Sequence, residues 1–190
     1  LMESASAAFE AKGGKVLRKI AYTEGQPDYR ADMQTVLQAK PDAIMSAGYG
    51  DDTRTMFKAA RELGVDAPWY TAYPSIFTVE NEGWMNGKLF GIDNGGLGSP
   101  VGQKIAKAYT DKYKGDARPH YFYGYDAMML LAKAMQAGGP DAAAIKAALP
   151  AAAKGYDGAT GTIEWDDRGQ RVNPPMDLFE YKDGKLQLIH

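Results

Sequence analysis

The sequence predicts an α/β fold of the doubly wound class, a parallel sheet with helices on both faces. Three observations carry that expectation. From Val16 onward short apolar runs alternate with helical stretches, the order that βαβ units produce. The run Ala43 to Ala47 is mostly apolar throughout, as a strand buried on both faces must be. Glycine or proline closes most of the helical stretches, and 22 glycines with 10 prolines mark many turns between short elements.

In order, Met2 to Lys12 is Ala-rich with Phe9 on one side and stops at Gly13-Gly14, which reads as a helix entered midway. Val16 to Tyr22 is expected to be a strand and Thr23 to Pro27 a loop. Asp28 is placed to cap a helix whose Tyr29, Met33, Val36 and Leu37 share one face, ending at Lys40-Pro41-Asp42. The strand Ala43 to Ala47 closes in Gly48-Tyr49-Gly50, and Asp51 or Asp52 caps the next helix, with Met56, Phe57, Ala60 and Leu63 on one side. Gly64 stops it, and Pro68 leads into the strand Trp69 to Tyr73. Pro74 to Val79 reads as a short helix or loop, Asn81 to Gly87 as irregular, and Leu89 to Ile92 as the next strand.

Asp93 to Ser99, with Gly95, Gly96 and Gly98, reads as a flexible crossing between lobes. Ser99 is an N-cap with Pro100 at the first helical position. Val101, Ile105, Ala108 and Tyr109 form one helical stripe; Tyr125, Met128, Met129, Ala132 and Met135 form another. A third helix spans about Asp141 to Leu149, followed by a Gly-rich turn and a strand near Thr160 to Trp165. No strand separates these helices. Asp183-Gly184, between Met176 to Lys182 and Lys185 to Ile189, is a strong hairpin signal.

Bulk properties narrow the function. The chain has 190 residues, a net charge of -2 and scattered Lys and Arg, so no basic stripe offers itself to nucleic acid. Its apolar runs fall far short of the roughly 20 residues that span a bilayer, so membrane insertion is not expected. With no cysteine, disulfides, thiolate zinc sites and cysteine nucleophiles are excluded. Leu1 to Gly14 contains Glu3 and Glu10 and lacks the pattern of a signal peptide, and a partial chain is expected.

No motif supports catalysis or a cofactor. Gly48-Tyr49-Gly50 would open a dinucleotide fingerprint, but Thr53 stands where its third glycine belongs, and Gly91 to Gly98 lacks the Gly-Lys-Ser/Thr of a phosphate loop. His120 and His190 are isolated, so no metal site is expected. Asp51-Asp52, Glu80 with Glu82, and Asp166-Asp167 are explained as caps, loop charges and turn residues. Gly98-Ser99-Pro100-Val101-Gly102 is no nucleophile elbow, because it starts a helix.

The aromatics are more telling. Tyr49 and Tyr73 fall at carboxyl ends of expected parallel strands, the edge where open α/β sheets bind ligands; they either wall a pocket or cover the sheet edge. In Tyr121-Phe122-Tyr123-Gly124-Tyr125-Asp126, Tyr125 is expected in the core, and Tyr121 and Tyr123 are candidates to face a cleft.

These residues, in this order, resemble the type I periplasmic binding proteins of the branched-chain amino acid (Leu/Ile/Val) class of ABC importers. The resemblance rests on Asp28-Tyr29, Lys40-Pro41-Asp42-Ala43-Ile44, Ala47-Gly48-Tyr49-Gly50 and Ala59-Ala60-Arg61-Glu62-Leu63-Gly64. It continues through Tyr123-Gly124-Tyr125-Asp126-Ala127-Met128, Gly161-Thr162-Ile163-Glu164-Trp165-Asp166 and the Phe179 to Leu188 hairpin. It implies two lobes joined by three crossings: about 1–95 in the second lobe, 96–172 as a returning portion of the first, and 173–190 as a hairpin back in the second. It also implies a periplasmic location, a small solute held by hinge closure, an ABC transporter permease as partner, and no enzyme activity or cofactor. Tyr49 matches a pocket aromatic of the family, and Tyr121 to Tyr123 match a region from which the first lobe reaches the solute. Tyr73 stands where amino-acid binders commonly carry an acid, which raises an aromatic or other carboxylate, or a small amide, beside an amino acid as the solute. A ligand sensor of the same fold is the alternative binding role, with a doubly wound α/β enzyme behind it. On this reading the helices of 96–172 lack a sheet to cover, and Met128, Met129 and Met135 are expected at the surface.

Overall fold

The computed structural model describes residues 2–48, 50–74 and 85–189. Its elements are α1 (Met2–Ala11), α2 (Arg30–Gln38), β1 (Ile44–Ser46), α3 (Gly50–Glu62), β2 (Trp69–Ala72), β3 (Leu89–Asn94), α4 (Pro100–Tyr113), α5 (Pro119–Gly138), α6 (Ala142–Ala153), β4 (Tyr156–Gly158), β5 (Gly161–Ile163), β6 (Met176–Lys182) and β7 (Lys185–Leu188). A five-stranded sheet has the order β1-β2-β3-β6-β7, and β4 pairs with β5 in a second sheet. The chain divides into two compact units, Leu1–Ile92 with Phe179–Gln187 and Asp93–Leu178 with Leu188–His190.

In the first unit β1, β2 and β3 are parallel, with Ile44 opposite Trp69 and Trp69 opposite Leu89. Side chains alternate across a strand, so this row points one way and the row Met45, Tyr70, Phe90 the other. The first row is buried under α2 and α3 in a core with Tyr29, Met33, Met56, Phe57, Ala60 and Tyr181. Phe57 meets the edge of Trp69 at a centroid distance of 4.7 Å. On the opposite row Met45, Tyr70 and Ile92 are exposed, and Tyr70 stacks on Phe90 at 5.4 Å. The helical stripes of α2 and α3 follow the expected period, and the turn between β6 and β7 has positive φ at both Asp183 (52°) and Gly184 (75°), as a two-residue hairpin of type I′ requires.

Several elements differ from expectation. Val16 to Tyr22 forms no strand; Val16, Ile20 and Tyr22 are half-buried in alternation, yet the segment has no ladder partner among the described residues, and alternation without a partner makes no sheet. Tyr29, not Asp28, occupies the N-cap of α2, while the Asp28 carboxylate accepts the Arg30 amide at 2.9 Å. Helix α6 continues past Leu149, through Pro150, to Ala153. The strand expected from Thr160 to Trp165 is shorter and pairs with β4, which sequence reasoning missed because Gly155, Gly158 and Gly161 mask it as a turn. The Pro74 to Val79 element and the irregular stretch from Asn81 lie mostly outside the described residues.

In the second unit Ser99 caps α4, accepting the Gly102 amide at 2.8 Å, and Asp141 caps α6. Gly138 lets α6 come close: a Cβ there would lie 2.9 Å from the Ala144 carbonyl oxygen and 3.3 Å from the Ala148 Cβ. The unit is organised around the buried carboxylate of Asp126 on α5. It accepts the Ala159 amide (2.7 Å), the Thr160 amide (2.8 Å), the Thr160 hydroxyl (2.6 Å) and the Tyr156 hydroxyl (3.2 Å). These bonds replace water around a charge that burial would otherwise penalise. They also tie the helix to the β4–β5 turn. Burial, then the neighbouring Asp126 charge and its hydrogen bond, push the Tyr156 phenol from 10.0 up to about 12. The β4–β5 ladder has three residues a side and covers little of α5. Met128 (66% exposed), Met129 (37%) and Met135 (43%) stand at the surface as expected, with Leu131 beside them.

Two outcomes follow. Unfolded Tyr156 ionises near its ordinary 10.0 and the folded residue only near about 12, so its share of stability is complete below pH 10 and is lost as pH climbs between the two. Tyr156→Phe is therefore expected to flatten the alkaline fall in stability across that window, at a neutral-pH cost of about 1 kcal/mol. Urea titrations in a pH series check this, and an unaltered alkaline limb would count against it. Because contiguous exposed apolar surface drives association, the double change Met128→Lys with Met135→Lys is expected to shift sedimentation profiles toward monomer with helix content unchanged.

Candidate functional site

In an open parallel sheet the carboxyl ends of the strands converge on one edge, with helix N-termini beside them. In the first unit that edge holds Gly48 after β1, the start of α3, and Tyr73 after β2. Gly48 is buried, and only a residue without Cβ fits: an added carbon would strike the Thr53 hydroxyl and lie 3.0 Å from the Met56 methyl and 3.3 Å from the Tyr22 hydroxyl. Thr53, in the first turn of α3, is fully buried, and its hydroxyl has no hydrogen-bond partner among the described residues. Tyr49, expected to line this edge, lies outside the described residues.

The loop before α2 is pinned to the same edge. The Asp52 carboxylate accepts the Gly25 amide at 3.0 Å, and Tyr29 donates its hydroxyl to the Thr23 carbonyl at 3.0 Å while accepting the Gln26 amide at 3.3 Å. The rings of Tyr22 and Tyr29 meet edge to face at 5.5 Å. Burial, then the Asp52 carboxylate beside it, raise the Tyr29 phenol above its usual range and keep it a neutral donor.

Tyr73 is half-buried and takes φ 59°, the left-handed region, while its amide donates to the Ile92 carbonyl at 2.8 Å. The following Pro74 packs on Gly91, where a Cβ would lie 2.9 Å from the proline ring. A bulky non-glycine residue in this region costs on the order of 1–3 kcal/mol, and such positions persist where the surroundings over-determine them, often at binding sites.

In the second unit Tyr121 and Tyr123 both lie in the first turns of α5. Two residues apart on a helix, they are about 200° around the axis from each other and do not share a face. Tyr121 is 42% exposed and lies against Tyr109 at 4.8 Å, and Tyr113 is also 4.8 Å from Tyr109. The hydrogen bond to Tyr121, then burial, raise the Tyr109 phenol. Tyr123 is half-buried, 6.1 Å from the His120 ring. Near it runs the Arg171 guanidinium, which donates to the Thr160 hydroxyl (2.8 Å) and to the Thr160 and Thr162 carbonyls (2.8 and 2.9 Å). Burial pulls Arg171 below its usual range, opposed by Tyr123 and Asp126. Arg171, near Tyr123, and Thr53, against Gly48, are residues that sequence reasoning missed. Neither sits in a motif, and only the fold brings them there.

Of the paired carboxylates, Asp52 does not cap α3, which already starts at Gly50, and it accepts the Gly25 amide instead, whereas Asp166 has the expected turn role. Asp166 accepts the Arg168 and Gln170 amides at 3.0 and 2.8 Å, bonds that hold it below the usual carboxylate range. Among the described residues no group of three His, Cys, Asp or Glu could hold a metal ion, and no helix is long and apolar enough to cross a membrane.

The fold can be compared with known proteins. The family model described as periplasmic binding protein matches residues 1–185. The chain belongs to that family. Among solved structures it is similar to the leucine-binding protein LivK of Thermotoga maritima, with 23% identity over 97% of this chain and 53% of that one and a TM-score of 0.83. A solute-binding protein of an ABC transporter from R. palustris, solved with benzoate, gives 19% identity, 98% and 53% coverage and a TM-score of 0.83. LivJ of Streptococcus pneumoniae, solved with isoleucine, gives 22%, 97% and 55%, and 0.81. This periplasmic binding protein chain thus spans about half the length of the solved relatives it matches. No curated protein sequence matches it. The family and these solved relatives are binding proteins, and the chain has the type I periplasmic binding protein fold.

The conformation of Tyr73 is directly testable. Tyr73→Gly is expected to hold thermal stability within about 1 kcal/mol, since relief at φ 59° offsets the lost packing. Tyr73→Val, whose branched side chain fits that region poorly, is expected to lose about 2 kcal/mol. Equal losses in thermal unfolding would mean that the backbone is not under strain there.

Proposed function

We propose that this chain is part of an extracytoplasmic solute-binding protein that captures a small organic solute by hinge closure and delivers it to an ABC transporter permease, without covalent chemistry. Its two units then correspond to portions of the two lobes. The observation that carries the reading is Tyr73: at the carboxyl end of β2, on the edge where such sheets bind ligands, a bulky side chain is held at φ 59°. The solute class supported best is an amino acid or an aromatic or other carboxylate. Tyr49 and Tyr73 would contact it from the first unit, and one of Tyr121 and Tyr123, which do not share a face of α5, from the second. Phenols at these positions offer stacking area and neutral donors, which suit a carboxylate and an apolar body better than an ammonium group. The benzoate and isoleucine carried by two relatives span this range.

Calorimetry with leucine, isoleucine and benzoate, on a protein that includes both complete lobes, tests the reading. At least one is expected to bind, with Tyr49→Ala and Tyr73→Ala each weakening binding by about 1–3 kcal/mol while the protein stays folded. Tyr73→Glu is expected to disfavour benzoate selectively, because it sets a second anion beside the first. Unchanged affinity in both alanine variants would show that these tyrosines only cover the sheet edge.

A further inference from the structure

The glycine-rich stretch after β3 has the composition of a flexible linker, but its contacts are those of a clamp. None of Gly95, Gly96 and Gly98 has a positive φ. Each instead faces an atom that a side chain would displace. A Cβ on Gly95 would lie 3.1 Å from Pro175, one on Gly98 would lie 2.9 Å from the Asp177 carboxylate, and one on Gly96 would strike the Phe122 ring. Polar contacts then hold the stretch along its length. The Gly95 amide donates to the Pro175 carbonyl at 2.8 Å, and the Gly96 and Gly98 amides both donate to Asp177 Oδ2, at 3.1 and 3.3 Å. The Leu97 carbonyl accepts from the Gln103 side chain at 3.3 Å, and the Ser99 hydroxyl donates to the Ala159 carbonyl at 2.8 Å.

Asp177 matters most, because it joins two of the three passages of chain that connect the units. The chain leaves the first unit after Ile92 and re-enters it at Phe179. Asp177 sits just before the second passage and binds, through one oxygen, the backbone just after the first. We propose that Asp177 is a positioning residue: it locks residues 95–99 and 175–177 into one rigid piece of the second unit. Bending during closure is thereby confined to the strand segments 92–94 of β3 and 178–179 of β6 and to the third passage at 187–188. The glycines serve close approach in this clamp, and the pivot lies outside them. This deepens the reading of the chain as a binding protein that closes by hinge motion, and rests on it.

The test needs no solute, so its outcome is independent of whether the chain binds the probes above. With no native cysteine, Lys58→Cys on α3 and Lys104→Cys on α4 give one spin-label site in each unit, both at exposed positions. Labelled chains are diluted into unlabelled ones, and the distance distribution is read by pulsed electron resonance. Asp177→Ala is expected to broaden that distribution about twofold and to speed exchange of the Gly96 and Gly98 amides about tenfold, as loss of local protection does. Asp177→Asn, which keeps an acceptor oxygen but not the charge, is expected to restore most of both. Should Asp177→Ala unfold the second unit, the Asn variant still decides the matter: amide exchange of Gly96 and Gly98 raised only a few-fold, with an intermediate width, supports the clamp. An unbroadened distribution in a folded Asp177→Ala chain, or exchange unchanged at both glycines, overturns it.

Discussion

The parallel register of β1, β2 and β3 is the constraint on which the first unit depends. Once Ile44, Trp69 and Leu89 are aligned and turned toward α2 and α3, the strands must end together. Gly48 and Tyr73 then arrive at one edge, beside the N-terminus of α3. A one-residue slip would turn Trp69 away from Phe57 and bring exposed Tyr70 inward, losing the core and the edge at once. The tyrosines of the candidate site are thus placed by apolar packing some distance from them. The chemistry of the edge and the stability of the unit share one cause.

The second unit solves a different problem. It has little sheet to hold its helices, and a buried carboxylate organises it in place of a strand row. Asp126 fills its acceptor sites with two amides and two hydroxyls from a single turn and strand. A charge so enclosed has no comparable alternative arrangement, so it specifies which turn of α5 faces the β4–β5 sheet. That choice sets the direction of Tyr121 and Tyr123, on opposite sides of the helix.

Elements whose signal lies in their own period were legible in the sequence. The stripe of Met56, Phe57 and Ala60 on α3, the Ser99 cap and the Asp183-Gly184 turn are local patterns, and local patterns need no knowledge of the rest of the fold. What depends on a partner was not legible. The alternation of Val16, Ile20 and Tyr22 marks a half-buried face, but a strand also needs a neighbour. Gly96 looks like a linker glycine until Phe122 is seen against it, and nothing in its neighbourhood of sequence announces that ring. Likewise Tyr73 gives no hint of its left-handed backbone, since glycine or asparagine is the usual marker. In the aromatic run at the start of α5 the residues were visible, whereas which of them turns outward appears only with the phase of the helix.

The division of the first unit into two stretches of chain has a consequence for its biosynthesis. Tyr181, a member of the core beneath α2 and α3, belongs to the returning stretch Phe179–Gln187. When β1, β2 and β3 leave the ribosome their hydrophobic row is still short of that ring, and the whole second unit must be translated before it arrives. At about 5–20 residues per second this is a wait of roughly 5–20 seconds. Throughout it the nascent sheet carries an unpaired edge on β3, the kind of edge that adds strands from other chains. Any holding factor that works on this polypeptide has its natural point of action in that interval, and release waits on the β6–β7 hairpin.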